Sequence, residues 1–186
     1  MEKMLCTKSN RTVIIMTILH FLILGFILIN FLILYVLYEK FQLNINTELL
    51  GFCVQFYIFY VLFYMAFRYI VLIRNAMSIF LEKIDRVNVK LIFYGNLFSF
   101  IFYVFALATT LSLLMALSIF LLLPEVVMTT IFNIPVLYRA TTFIVKNKYF
   151  KWILKLILII LLIIDLYLIF NINTLYDILY SRVILP

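Results

Sequence analysis

The stretch LIFYGNLFSFIFYVFALATTLSLLMALSIFLLLPE, residues 91–125, holds 33 consecutive residues from Leu91 to Leu123 without a charged side chain. Apolar residues occupy both odd and even positions, so the alternation of a transmembrane β-strand is missing and a helix is the remaining way to satisfy its backbone in an apolar medium. As one helix it would be ~50 Å long, against a hydrocarbon core of ~30 Å. Three geometries resolve the mismatch: strong tilt, first turns projecting beyond the membrane, or a turn that comes before Pro124.

Working outward, the same character continues. Of 186 residues 68% are apolar and 12% charged, whereas a soluble domain is roughly half apolar and about a quarter charged. The chain therefore reads as one all-α membrane domain, residues 1–186, a polytopic transmembrane helical bundle. Spans fall at about 13–37, 49–73, 91–122, 126–145 and 152–170. The fourth is less apolar than the rest, holding Thr129, Thr130, Asn133, Pro135 and Arg139, and a re-entrant or interfacial helix is its alternative. The first run is too long for the apolar core of a signal peptide. Cys6 and Cys53 form neither a disulfide framework nor a metal-binding pair, although Cys6 sits where a juxtamembrane thiol can be acylated.

Basic residues decide the orientation, because short cytosolic loops collect Lys and Arg. With five spans, a cytosolic N-terminus and an outside hairpin at Pro124 and Glu125, 13 of the 15 basic residues lie inside and only Lys40 and Arg182 outside. With four spans the division is nine inside and six outside. Five spans are preferred. The loop Arg74 to Lys90 carries Met77, Phe80, Leu81, Ile84 and Val87 at helical spacing opposite Glu82 and Arg86, and reads as an amphipathic cytosolic helix. Arg74, Lys83, Arg86 and Lys90, with Arg139, Lys146, Lys148 and Lys151, form a basic face for anionic lipid or a cytosolic protein. Topology accounts for that charge, so direct nucleic-acid binding is not expected.

Candidate functional residues are few. His20 is the only histidine, which excludes paired-histidine haem ligation within the chain. It reads as an interhelical hydrogen bond or a proton sensor. Seven of the eight acids, Glu125 among them, fall at expected loops, ends or turns. Asp165 does not: a carboxylate facing lipid there would cost ~2.5 to 3.5 kcal/mol, so it should meet a Tyr or Thr hydroxyl inside the bundle or act as an ion-linked switch. Arg68 reads as a side chain snorkelling to the cytosol, with a carboxylate partner as the alternative. Gln55, Asn30, Asn96 and Asn133 can bridge helices. Ala108, Ser112 and Ala116 recur every four residues and form a small-residue stripe suited to close helix packing, within the bundle or between copies. Neither a metal cluster, a cofactor motif nor a nucleophile with its base is present, so no enzyme activity is assigned and no cofactor or metal is expected.

Three function classes fit these observations. One is a non-enzymatic sensor or scaffold that forms a homo-oligomer and recruits a cytosolic effector. The others are an immunity protein that binds a toxin peptide in the membrane, and a small subunit of a respiratory or transport complex or a channel. In the plan of its spans from Val13 to Phe170 the chain resembles the membrane component of Kiwa-type bacterial phage-defence systems, a small basic multi-span protein that works with a soluble DNA-associated partner. The resemblance implies a bacterial inner membrane, four helices and a role in antiviral defence.

Overall fold

Runs with so little polarity have one economical backbone solution, and a computed structural model, which describes residues 2–41, 47–81, 86–112 and 115–171, is helical almost throughout. Helices α1 (Glu2–Phe41), α2 (Thr47–Phe80), α3 (Arg86–Ser112), α4 (Met115–Met128), α5 (Ile134–Ile144) and α6 (Lys148–Phe170) follow in order. A π-helical turn, Thr129–Asn133, joins α4 to α5 without a break, so residues 115–144 form one rod. The wide turn has a local cause. Pro135 lacks an N–H and its ring crowds the carbonyl four residues back, which opens the preceding turn; the Ile134 N–H reaches the Thr129 carbonyl, five residues behind it. At the start of α6, Asn147 accepts from the Tyr149 and Phe150 N–H groups at 2.9 and 3.2 Å, a side-chain N-cap.

The expected hairpin at Pro124 and Glu125 is overturned. Both residues lie inside α4, and the reversal comes about ten residues earlier, between the end of α3 and the start of α4. Tyr103 packs against Leu122 and Val126, and Val89 and Ile92 pack against Val136 and Ala140. Such pairs require α3 and the 115–144 rod to run antiparallel; a continuous helix would hold Tyr103 and Val126 ~35 Å apart. Of the three geometries open to residues 91–123, the early turn is the one adopted. It also dissolves the small-residue stripe: α3 ends at Ser112, so Ala108 and Ser112 belong to one helix and Ala116 to the next.

Successive rods alternate in direction. Thr17 meets Tyr64 across α1 and α2, Ile79 meets Val89 across α2 and α3, and Ile134 and Leu137 meet Leu158 across α5 and α6. This is an up-and-down bundle. The start of α1, the α2–α3 connection and the α5–α6 connection share one end. The amphipathic helix expected over residues 74–90 is not formed as a unit. Residues 74–80 are the last turns of α2 and 86–90 the first of α3, while residues 82–85, Lys83 included, lie outside the described residues. Ala76 and Ile79 face the core, while Met77 and Phe80 are exposed, because the helix buries the small and branched side rather than the expected one.

Among the described residues four stretches are long and apolar enough to cross a membrane: Thr7–Asn30, Gln55–Phe80, Asn88–Ala108 and Lys148–Phe170. Large apolar side chains cover the outside, among them Leu22, Phe59, Ile70, Ile160 and Tyr167. In water that surface would drive aggregation; in lipid it is already solvated.

Candidate functional site

The interior is more polar than the exterior, and its polar residues are stacked in layers. The first layer lies toward the end that holds the start of α1. Asn10 of α1 and Asn75 of α2 exchange a reciprocal pair of amide hydrogen bonds, at 3.0 and 2.7 Å. Asn75 also donates to the Asn96 side chain of α3 at 2.6 Å. In the orientation that satisfies its amide, Asn133 of the π turn donates to the Asn96 backbone carbonyl at 3.0 Å. All four asparagines are fully buried. Beside them Gly95 makes α1 and α3 approach closely: a Cβ there would lie 3.1 and 3.2 Å from Cγ and Cβ of Asn10.

Seven residues along, or two turns and ~10 Å, comes the second layer. Thr17 follows Asn10 by seven, Arg68 precedes Asn75 by seven, and Tyr103 follows Asn96 by seven. On the fourth rod the spacing from Glu125 to Asn133 is eight; the π turn absorbs the extra residue and keeps both side chains facing inward. Arg68 donates to Glu125 in a buried ion pair, and Tyr69 donates to the other carboxylate oxygen at 2.9 Å. The remaining face of the guanidinium meets aromatic rings, with Cζ 4.5 Å from the Phe102 centroid. Thr17 and Tyr64 share a hydrogen bond beside it.

Asp165 closes the column from α6. It accepts from the Tyr103 hydroxyl at 2.5 Å and from Thr130 at 3.4 Å, which is the hydroxyl-satisfied arrangement expected of an inward carboxylate. His20 lies one turn beyond Thr17, stacked on Tyr57, Tyr60 and Tyr64 and edge-on to Phe102. Its Nε2 is 3.4 Å from the Tyr57 hydroxyl, and its Nδ1 is buried without a hydrogen-bond partner among the described residues.

These positions revise several sequence readings. Arg68 does not snorkel; it is completely buried because Glu125, expected in a loop, sits opposite it on the relocated helix. Asn96 and Asn133 do bridge helices, whereas Asn30 bonds, among the described residues, to the Phe26 carbonyl of its own helix and Gln55 is exposed. Asn10, Asn75 and Glu125 were missed. For Asn10 and Asn75 the signal that would have found them is the seven-residue recurrence of polar side chains, to Thr17 and from Arg68, a heptad written in polar instead of apolar residues; Glu125, eight residues from Asn133, carries no such signal.

Of the basic residues, Arg139 lies over the Phe80 ring at 5.6 Å and Lys151 donates to the Thr142 carbonyl at 3.2 Å. Lys146 and Lys148 are exposed, and Arg74 donates to Ser9 at the same end of the bundle. Among the described residues no group of three or more His, Cys, Asp or Glu side chains is placed to hold a metal ion. What the column can do physically is fix the register of the rods, since each half-buried mismatch would leave a polar group unpaired in an apolar medium.

Fold and surface together form an α-helical bundle whose four long apolar helices are compatible with a polytopic integral membrane protein. No family model, curated protein or solved structure matches the chain.

Proposed function

We propose that this chain is a non-enzymatic scaffold or sensor of the bacterial cytoplasmic membrane that crosses five times, keeps its N-terminus in the cytosol, self-associates and recruits a cytosolic effector. Antiviral defence is the setting proposed for it, on the resemblance in plan described above. The carrying observation is the segregation of charge along the bundle axis. Lys8, Arg11, Arg74, Lys90, Arg139, Lys146, Lys148, Lys151 and Lys155 all belong to helix ends or connections at the end where α1 begins, and cytosolic ends are the basic ones. The 115–144 rod, antiparallel to both neighbours, supports a fifth crossing: at ~45 Å it exceeds the hydrocarbon thickness, and its charged Glu125 is neutralised inside the bundle.

Two measurements test this. Single cysteines placed in a chain lacking Cys6 and Cys53 should label with an impermeant external reagent near residue 113 and fail to label at Lys146; the reverse pattern sinks the orientation. Purification in mild detergent should yield a complex heavier than one chain with a cytosolic protein attached, and a bare monomer would remove the scaffold reading.

A second reading has its own observation. Asp165, Glu125, Arg68 and His20 are ionisable groups within the apolar helices of the bundle, and such groups at membrane depth are the usual mark of proton- or ion-linked membrane proteins. Ion flux through liposomes that disappears in Asp165→Asn would favour that reading over the first.

A further inference from the structure

Buried threonines in this bundle share a habit. Thr17, Thr130 and Thr141 each donate to the carbonyl four residues back, at 2.8, 2.8 and 2.6 Å, which satisfies the hydroxyl without leaving its own helix. Thr129 breaks the habit, and so does Ser99 across from it. Both residues are fully buried, and neither hydroxyl oxygen has a hydrogen-bond partner among the described residues. A buried hydroxyl left unpaired in an apolar medium is costly, and such groups are almost always satisfied by protein or ordered water.

The register of the rods brings the two hydroxyls to one level. Ser99 is three residues after Asn96 and four before Tyr103 on α3, while Thr129 is four residues after Glu125 and four before Asn133. Each therefore continues an inward stripe of its rod, between the asparagine layer and the layer of Arg68 and Glu125. The rods are antiparallel, with Asn133 at the Asn96 carbonyl and Val126 against Tyr103, so Ser99 stands level with residues 129 and 130. The π turn is also short of a donor there. The Ile134 N–H, which a regular helix would give to the Thr130 carbonyl, goes to that of Thr129, and Pro135 has none to offer in its place.

We propose that a water molecule is bound inside the bundle at the π turn, bridging the Ser99 and Thr129 hydroxyls. The occupant follows from the groups around it. The two hydroxyls do not bond to each other, so the bridge has to be a third group, one that both donates and accepts. Water does both, and a buried water typically serves about two to four polar groups of this kind. At the level of Glu125, one turn from Thr129, the Arg68 Nε and Nη1 atoms are also buried without a hydrogen-bond partner among the described residues. The Arg68 charge is already matched by Glu125, so the surroundings favour a neutral occupant over a halide. π turns recur at functional positions in helices, and a water here gives this one a ligand. The proposal depends neither on the orientation of the chain in the membrane nor on any partner protein.

The test turns on the sign of a shift. Thr129→Val keeps the shape of the side chain and removes its hydroxyl. Were that hydroxyl dry and unpaired, its removal would raise the midpoint of thermal unfolding in detergent. With a water bound, removal leaves the water and Ser99 short of a partner, and the midpoint should fall by about 2 to 4 °C. Ser99→Ala should lower it similarly, and the double variant should fall no further than about one single variant, because both break the same bridge. An unchanged or raised midpoint in Thr129→Val overturns the proposal, as do fully additive losses, which mean two independent partners. A wild-type midpoint that rises when chloride replaces gluconate overturns it in favour of a halide. An experimental density map of the unaltered full chain decides without any variant. Ordered solvent within hydrogen-bond distance of both hydroxyl oxygens is expected there, and a direct bond between the hydroxyls, or apolar contact around each, sinks the idea.

Discussion

Helices α3 and α6 are both long and apolar enough to cross a membrane, yet 39% of the crossing stretch of α3 is buried within the bundle against 11% for α6. The more apolar of the two is the more exposed. In water the ranking would be reversed, because burial there is driven by removing apolar surface from the solvent. Lipid removes that drive, so what pulls a helix inward is what lipid cannot satisfy: Asn96, Ser99 and Tyr103 on α3, and on α6 the single residue Asp165. The inside of this protein is where its polarity is, and position in the bundle follows polar content.

That contrast can be broken from either side. The largest effect is expected at Glu125→Ala, which leaves the Arg68 charge buried alone and should cost about 3 to 5 kcal/mol. Combining it with Arg68→Met should recover most of the loss, and thermal unfolding in detergent reads both. Charging the exposed side tests the other half: Ile160→Asp, at the middle of the lipid-facing surface of α6, should cost ~2.5 to 3.5 kcal/mol on insertion and lower the yield of membrane-integrated protein. Gly95→Ala should destabilise by about 1 to 3 kcal/mol, because Asn10 cannot move without breaking the asparagine layer. Tyr103→Phe, which strips Asp165 of its nearer donor, belongs lower, at about 1 to 2 kcal/mol by the same assay. The smallest change is expected for Ile160→Leu, within about 0.5 kcal/mol; a large loss there would mean that this face is covered by protein.

Asp165 illustrates what a sequence can show about such a site. A lone carboxylate in a 19-residue apolar run, Trp152 to Phe170, must be satisfied by something, and the hydroxyls of Tyr103 and Thr130 satisfy it. Glu125 illustrates the opposite. Beside a proline between two apolar runs it has every local mark of a turn, and only its contact with Arg68, 57 residues away, reveals it as an interior residue. The small-residue stripe failed for the same reason, since spacing has meaning only within one helix and the reversal after Ser112 was invisible. No glycine or proline marks that reversal: the neighbouring sequence, ATTLSLLMAL, is uncharged and carries no turn signal beyond the hydroxyls of Thr109, Thr110 and Ser112.

By itself the sequence determined the solvent, the helical backbone and the basic end, because each depends on composition along the chain: apolar length, the absence of strand alternation, and the positions of Lys and Arg. Only the tertiary structure decided where the chain turns and which polar side chains meet. Those outcomes depend on matching layers across four rods at once. Asn10, Asn75, Asn96 and Asn133 can join in one layer, and Arg68 can face Glu125 in the next, only if residues 115–144 run back along α3. In an apolar medium the cost of leaving those groups unpaired is large enough to set the register, and that cost is a property of the assembled bundle.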